Sequence, residues 1–125
     1  MADVKFFRCK NCGNLVALIN NGGGTLVCCG EDMKELKANT SDGAKEKHVP
    51  EVTKEDGKVK VTVGSVLHPS LPEHYIQWIA LATDDKIQLK YLEPGMEPKA
   101  EFEETESGTV YEYCNLHGLW KADFK

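Results

Sequence analysis

The sequence predicts a mainly β protein in which a small cysteine-rich metal module precedes an antiparallel β-sandwich. Four of the five cysteines fall within the first 30 residues. Several later segments have the length and alternation of short strands, and no segment keeps a helical period over a useful length. A chain of 125 residues accommodates one ordinary domain and one very small module. We therefore expect two domains, 1–38 and 39–125.

The amino-terminal module is predicted to be a set of short strands around a metal site. Its first two strands are expected at 5–9 and 15–19. The turn cluster Asn20-Asn21-Gly22-Gly23-Gly24 then sends the chain back through 25–27 to the second pair of cysteines. The module has too few apolar residues to fold by burial alone. Metal binding would therefore supply the missing free energy of folding.

The rest of the chain reads as strands that follow a polar linker at 38–47. Lys58–Val63 alternates strictly between valine and Lys/Thr, as a half-buried strand does. Further strands are expected at 75–82, 87–92, 100–104 and 109–113, with turn residues at 83–85. Several short strands at this spacing are typical of an antiparallel β-sandwich.

Charge and hydropathy argue against two classes of protein, those that bind nucleic acid and those that are secreted or cross a membrane. The formal net charge is −5, with +1 on residues 1–38 and −6 on the remainder, so neither part has the basic patch that nucleic acid requires. No apolar run approaches the length of a signal sequence or membrane span. We expect a soluble cytoplasmic protein that binds neither nucleic acid nor membrane. In that reducing compartment, closely spaced cysteines hold a metal more often than they form disulfides.

The first predicted metal site consists of Cys9, Cys12, Cys28 and Cys29. Four thiolates from two compact pairs form a tetrahedral sulfur cage, which suits either zinc or iron. Because neighbouring residues of a regular strand point to opposite faces, the adjacent pair Cys28-Cys29 predicts a distorted site. Two interpretations stay open: a structural zinc site, and a mononuclear iron-tetrathiolate centre that carries one electron.

The second predicted site takes the fifth cysteine and all four histidines, which are His48, His68, His74, Cys114 and His117. Five ligands are more than a closed tetrahedral zinc site requires. Four imidazoles could lie in a plane around iron, with the thiolate below it and the sixth position empty. Imidazole stabilises ferrous iron and the thiolate pushes electron density onto it, which favours one-electron reduction of a small oxygen species.

Two charged residues beside His48 are candidate catalytic residues. Lys47 would place a local positive charge at the metal site, which a domain of net negative charge needs in order to attract an anion. Glu46 could approach the open metal position. Each has an ordinary alternative, as a solvated surface side chain.

With these residues in view, the chain resembles the desulfoferrodoxin family, the two-iron class of superoxide reductases, over essentially its whole length. In the module the resemblance is carried by Cys9-Lys-Asn-Cys12-Gly13-Asn14 and Val27-Cys28-Cys29-Gly30. In the second domain it is carried by Ser41-Asp-Gly-Ala-Lys-Glu46-Lys47-His48-Val49-Pro50, Val63-Gly-Ser-Val-Leu-His68-Pro69, His74-Tyr75-Ile76-Gln77-Trp78-Ile79 and Glu112-Tyr113-Cys114-Asn115-Leu116-His117-Gly118.

The resemblance implies a rubredoxin/desulforedoxin-like module and an immunoglobulin-like sandwich, assembled as a homodimer. It implies a tetrathiolate iron, ferric as isolated, and a square-pyramidal iron, ferrous in its active form, with four histidine ligands and one cysteine ligand. The implied activity is an oxidoreductase reaction, the reduction of superoxide to hydrogen peroxide with electrons usually supplied by rubredoxin. Electron transport and detoxification under oxidative stress would then be its roles. The family lysine matching Lys47 attracts superoxide and assists protonation, and the glutamate matching Glu46 can occupy the sixth position of ferric iron.

Three other functions compete with this one. A dismutase would use the same ligands but cycle the metal in both directions. A non-catalytic iron electron carrier or a zinc-stabilised binding module would need only the first site. The substitution His117→Ala separates the last two from a reductase, because only a reductase would lose a reaction with superoxide.

Overall fold

The computed structural model describes residues 4–40 and 45–125, without the side chains of residues 45 and 46. The chain divides into two compact units, the first ending at Lys37 and the second running over Ala38–Lys125. Each unit is described by itself below.

The smaller unit is built of five short strands, β1 Lys5–Arg8, β2 Leu15–Leu18, β3 Val27–Cys28, β4 Glu31–Asp32 and β5 Lys34–Glu35. They form a three-stranded sheet of order β2-β1-β5 and a separate β3-β4 pair. Phe6 and Cys9 are the only buried residues among those described in this unit. Such a small buried core agrees with a module that depends on a metal for its stability.

The larger unit begins with one helical turn, α1 Lys45–His48, and continues as seven strands. These are β6 Pro50–Glu55, β7 Lys58–Val63, β8 Ile76–Ala82, β9 Ile87–Tyr91, β10 Lys99–Glu103, β11 Gly108–Cys114 and β12 Gly118–Phe124. They form two antiparallel sheets, one of order β10-β7-β6 and one of order β12-β11-β8-β9. No helix among the described residues is long and apolar enough to cross a membrane.

The core of this unit lies between the two sheets. The valines of β7 are fully buried and pack with Ile79 and Leu81 of β8 and Val110 of β11. Three strands packed against four over a shared apolar core form a sandwich with the strand count of an immunoglobulin-type domain. The predicted fold class, a cysteine-rich module followed by an antiparallel sandwich, is confirmed.

Two long strands, β6 and β12, lie where the sequence predicted none. The pattern of β6, Pro-Glu-Val-Thr-Lys-Glu, offers little apolar alternation, and four of its six residues are exposed. It is a strand because all six residues pair with β7, and β12 likewise pairs with β11 over seven residues. The turn α1 overlaps the end of the predicted linker and extends one residue beyond it, and residues 41–44 of that linker fall outside the described residues.

A β-bulge between β8 and β11 lies next to Cys114, a predicted ligand of the second metal site. Tyr113 pairs with Trp78, but the next residue, Cys114, pairs with Ile76, so Gln77 is an extra residue in β8. Because side chains alternate along a strand, one extra residue moves the preceding part of β8 to the other face. Ile76 therefore faces the core beside Cys114. Without the extra residue, it would lie on the same face as Trp78, away from that core.

Candidate metal centres

The four cysteine sulfurs of the smaller unit lie together in one cluster. Their Sγ atoms are all within 4.8 Å of one another. Cys9 and Cys12 occupy a tight turn after β1, in which the Gly13 N–H donates to the Cys9 carbonyl at 2.9 Å. Gly13 has φ +84°, a left-handed conformation that glycine adopts without a steric penalty. The turn directs both sulfurs to the same point.

The second pair of cysteines contains the distortion that the sequence predicted. Strand β3 ends at Cys28, and Cys29 adopts φ +54°, which is rare for any residue other than glycine. The left-handed backbone turns Cys29 toward its neighbour, so that the two Sγ atoms are 4.0 Å apart. The Cys12 and Cys28 Sγ atoms are 3.6 Å apart. Backbone strain at Cys29 is thus tied to the assembly of the sulfur cluster.

The close spacing of the four sulfurs favours the binding of a cation. A hydrogen bond from the Cys12 N–H lowers the pKa of Cys9 to about 6. Contact with the Cys12 sulfur is the largest cause that raises the pKa of Cys29, to about 12. Four thiolates at this spacing repel one another unless a metal ion binds them. All four thiols are free, and their sulfurs are far beyond disulfide distance, so the donor set fits a tetrahedral zinc or iron ion.

In the larger unit, the four histidine side chains are arranged in a closed cycle, in which each imidazole lies beside two others. The centroids of neighbouring rings are 4.7 Å apart for His48 and His68, 4.7 Å for His68 and His74, 5.1 Å for His74 and His117, and 4.8 Å for His117 and His48. The opposite pair, His48 and His74, is 6.5 Å apart. Four nearly equal sides and a longer diagonal describe an approximate square. The structure thus brings together the four histidines that the sequence assigned to one site.

The thiol of Cys114 lies against this square of imidazoles. Its Sγ atom is 3.4 Å from His68 Nε2 and 3.9 Å from His117 Nδ1. The potential ligand atoms of His48, His68, His74 and Cys114 all lie within 4.8 Å of one another, and His117 Nδ1 is 3.1 Å from His48 Nε2. Five nitrogen and sulfur donors thus converge on one point.

Each donor comes from the end of an element or from a loop beside it. His48 ends α1, Cys114 ends β11, and His117 lies in the turn that leads to β12. His68 follows β7, whose last residue accepts a hydrogen bond from the His68 N–H at 3.1 Å. His74 closes a tight turn in which its backbone exchanges two hydrogen bonds with Leu71. Gly118, at φ +80°, then lets the chain reverse into β12.

Burial keeps the imidazole donors in the neutral form that a metal binds, and backbone N–H groups oppose its effect on the thiol. Burial lowers the pKa of His68 to about 4, so its imidazole is neutral at pH 7. Burial also lowers the pKa of His74, with smaller contributions from the charges of His117 and Lys47. The pKa of Cys114 is raised by burial and lowered in part by hydrogen bonds from the backbone N–H groups of His117 and Leu116. A cation would release that thiol proton, and these N–H groups would stabilise the thiolate.

Contacts from Pro69 and Trp120 support the site, and neither these contacts nor the burial of Glu112 was predicted from the sequence. His68 Nδ1 is 2.7 Å from the Pro69 carbonyl, which fixes the tautomer that presents Nε2 to the site. Trp120 stacks on His48, and its Nε1–H donates to the His117 carbonyl at 3.1 Å. Glu112 is fully buried, and neither carboxyl oxygen has a hydrogen-bond partner among the described residues. The burial of Trp120 and Glu112 depends on β12, the strand that the sequence did not predict.

The two predicted catalytic residues adjoin the site in sequence through α1. Lys47 is exposed beside the buried His48, and its charge contributes to the lowered pKa of His74. Glu46 also belongs to α1, but its side chain lies outside the described residues.

Comparison with known proteins covers both units. The family model described as "Desulfoferrodoxin, N-terminal domain" matches residues 2–36, and the model "Desulfoferrodoxin" matches residues 40–123. The chain is 49% identical over 121 residues to the desulfoferrodoxin of Clostridium acetobutylicum, covering 97% of each protein.

Solved structures agree with this match. The superoxide reductase of Treponema pallidum superposes with a TM-score of 0.77 and 39% identity, over 97% of this chain and 99% of that one. The one-iron superoxide reductase of Giardia intestinalis covers 65% of this chain at a TM-score of 0.56 and 32% identity. The tetrathiol cluster, the four-histidine, one-cysteine cluster and these matches along the whole chain together show that the protein belongs to the desulfoferrodoxin family.

Proposed function

We propose that this protein is a superoxide reductase, an oxidoreductase that converts superoxide to hydrogen peroxide at the four-histidine, one-cysteine cluster. The observation that carries the proposal is the square of imidazoles with the buried Cys114 thiol against it. These five residues would hold an iron and leave it one further position for substrate. An iron bound there would supply the one-electron reductant, and an iron bound by the four cysteines of the smaller unit would supply a second one-electron centre.

The ligands proposed for the tetrathiolate iron are Cys9, Cys12, Cys28 and Cys29. For the catalytic iron they are His48, His68, His74, Cys114 and His117. Support comes from the donor chemistry, because no other histidine or cysteine occurs in the chain. We also propose that 1–38 and 39–125 are two domains, each with one of the two sites. The division of the structure into units at Lys37 supports that boundary.

The overall reaction consumes one superoxide, one electron and two protons for each hydrogen peroxide. Residues of the cluster and of α1 have proposed roles in binding the iron, attracting superoxide and assisting protonation. Burial keeps His68 neutral and able to donate its lone pair, and two backbone N–H groups favour the Cys114 thiolate. Lys47 attracts the anion and is the proposed source of positive charge during protonation. Glu46 is proposed as the carboxylate that would bind the catalytic iron in its ferric form.

Electrons must come from outside, because the reaction consumes one electron in each turnover. We propose a small one-electron carrier of the rubredoxin type as the donor. A cytoplasmic location is proposed as well. Its support is that none of the five cysteines forms a disulfide, and a reducing compartment keeps closely spaced cysteines available to a metal.

We propose that the protein is a homodimer. Strand β9 lies at the edge of its sheet, and the side chains of Ile87, Leu89 and Tyr91 share one face and are exposed, Tyr91 at 77%. An exposed apolar row on an edge strand favours association with another chain. Sedimentation equilibrium should give the mass of a dimer for the unaltered protein and of a monomer for Leu89→Lys. A monomeric unaltered protein would contradict the proposal.

The activity is tested by mixing the fully reduced protein with superoxide after iron and zinc have been counted. A reductase contains two irons per chain, oxidises the catalytic iron, and yields one peroxide per electron without oxygen. Oxygen release without added reductant would indicate a dismutase. Zinc at both sites, or catalytic iron that stays ferrous, would indicate a binding module or an electron carrier. His117→Ala should abolish the superoxide reaction and leave the tetrathiolate absorption unchanged.

A further inference from the structure

The strand ladder between β8 and β11 continues beyond the end of β11 through a side chain. After the bulge at Cys114, the Asn115 N–H donates to the Tyr75 carbonyl at 3.3 Å. The Tyr75 N–H donates in turn to Asn115 Oδ1 at 2.9 Å, and Asn115 Nδ2 donates to the Glu73 carbonyl at 3.0 Å. The side-chain amide thus bonds to the chain as a further backbone peptide of β11 would. These hydrogen bonds hold the backbone on both sides of His74.

Two of the other imidazoles are held by contacts of their own rings, whereas His74 is held through its backbone. The His68 ring is fixed through its own Nδ1 atom by the Pro69 carbonyl, and the His48 ring is stacked on Trp120. The buried Nε2 atom of His74 has no hydrogen-bond partner among the described residues, which suits an atom that would bind the iron. Its bonds within the turn to Leu71 fix the shape of the turn but do not connect the turn to a strand. The connection to β11 is made by Asn115.

Asn115 also lies between two donors of the same site. It directly follows Cys114 and precedes His117 by two residues. Its side chain therefore couples the turn that supplies Cys114 and His117 to the loop that supplies His74. We propose that Asn115 is a positioning residue that sets the place of His74 in the square of imidazoles. This inference rests on the proposed function, because it takes His74 to be an iron ligand.

Asn39 offers a matched control. Its side-chain amide forms the same type of bridge to another strand, with Nδ2 donating to the Lys121 carbonyl at 3.2 Å and Oδ1 accepting from the Lys121 N–H at 2.9 Å. Asn115→Ala and Asn39→Ala therefore each remove two side-chain hydrogen bonds to backbone on the larger unit. The two variants differ in that only Asn115 bridges to the residues flanking His74. Asn39 has φ +62°, so Asn39→Ala also carries a backbone cost of its own and is a stringent control for a general loss of stability.

The experiment measures how fast the two-iron protein loses its catalytic iron to a chelator, with the tetrathiolate absorption as the internal reference. We expect Asn115→Ala to lose this iron at least about tenfold faster than the unaltered protein, as outer contacts of metal ligands commonly cause. Asn39→Ala should stay within about twofold of the unaltered protein. The thiolate-to-iron absorption of the catalytic centre should also shift in Asn115→Ala alone. Equal release rates for the two variants would overturn the proposal.

A double-mutant cycle separates positioning of His74 from a general loss of stability. If Asn115 acts through His74, Asn115→Ala should add less than about a twofold effect in a His74→Ala background. Effects that multiply in the double variant would overturn the proposal. If His74→Ala retains its iron as firmly as the unaltered protein, the ligand set of the proposed function fails. If His74→Ala loses iron and Asn115→Ala does not, only the positioning role fails.

A second variant covers the case in which Asn115→Ala does not fold. Asn115→Asp keeps an oxygen to accept the Tyr75 N–H but places a carboxylate against the Glu73 carbonyl. We expect the Tyr75 amide to remain protected from hydrogen exchange in this variant. Its catalytic iron should be lost at a rate between those of the unaltered protein and His74→Ala. Release at the unaltered rate would overturn the proposal.

Discussion

The indole ring of Trp120 lies almost parallel to the imidazole of His48, with centroids 4.8 Å apart and planes 24° apart. The same indole donates its Nε1–H to the His117 carbonyl at 3.1 Å, and Trp120 is 1% exposed. One core side chain thus contacts two neighbouring donors of the square. The packing of the sandwich and the geometry of the metal site are therefore coupled through Trp120.

The first prediction concerns this coupling. Trp120→Leu removes the stacked ring and the hydrogen bond and leaves a cavity, so we expect it to reduce the free energy of unfolding by about 2–3 kcal/mol and to weaken iron retention. Trp120→Phe keeps an aromatic ring and loses the donor, at about 1 kcal/mol. Chemical denaturation and catalytic iron content are the measurements.

Trp78→Leu is the matched control for Trp120→Leu. Trp78 stacks on Tyr113, with centroids 6.0 Å apart, on the opposite face of the sheet. Its loss should lower stability by a similar amount but leave the catalytic iron in place. If Trp120→Leu retains iron as firmly as Trp78→Leu, the stacking contact has no influence on the site.

The second prediction concerns Lys47. Removing its charge in Lys47→Ala should slow the reaction with superoxide by about tenfold at low salt and flatten its dependence on ionic strength. Lys58→Ala changes the net charge equally, but Lys58 starts β7 about 17 Å along the strand from the end that leads to His68. Stopped-flow rates over a salt series give both quantities. Equal slopes for the two variants would show that Lys47 exerts only the general charge effect.

The third prediction concerns the small unit. Because Phe6 and Cys9 are its only buried residues among those described, loss of one sulfur ligand should unfold it. In Cys12→Ser we expect limited proteolysis to cut within residues 4–37 and to leave the sandwich strands intact. Mass spectrometry identifies the fragments. In the reciprocal control, Cys114→Ser, the tetrathiolate absorption should persist, and its loss there would mean that the two units do not fold independently.

The fourth prediction is a pH dependence of stability at an ion pair of the larger unit, between the turn that follows β8 and the end of β10. Lys86 Nζ lies 2.6 Å from Glu103 Oε2, and this pairing lowers the pKa of Glu103 below its ordinary value of 4.5. The unfolded chain therefore binds a proton at this residue more readily than the folded chain. The stabilisation is fully present above pH 4.5 and is lost as the pH falls through the lower folded-state pKa.

Glu103→Gln should accordingly lower the melting temperature slightly at pH 7 and have no effect at the acid end of the range. Both side chains are exposed, so the difference should also shrink in high salt. Glu101→Gln on the same strand is the control, since Glu101 lies 3.7 Å from Lys58 in a looser pair. A difference for Glu103→Gln that is constant with pH would show that the ion pair is not its cause.

Strict alternation made β7 predictable from sequence, whereas β6 and β12 were not. Val59, Val61 and Val63 face the core in register, so their local pattern already contains the information. The residues of β12 alternate poorly, and their strand form depends on pairing with β11, a long-range interaction. The supporting roles of Trp120 and Asn115 belong to the same category, because each contacts residues that are distant along the chain.

The sequence by itself determined which residues can act as metal ligands. The donor chemistry of two metals follows from four clustered cysteines and from a fifth cysteine with four histidines, and no cysteine or histidine is left over. This could be seen in the sequence because ligand identity is a local property of each residue. Tertiary structure alone decided the order of the imidazoles around the square, the bulge that brings Ile76 to the core side, and the bridge from Asn115 to the loop of His74. Those features arise from strand pairing and packing between residues far apart in the chain, and such free energies are not contained in any local segment.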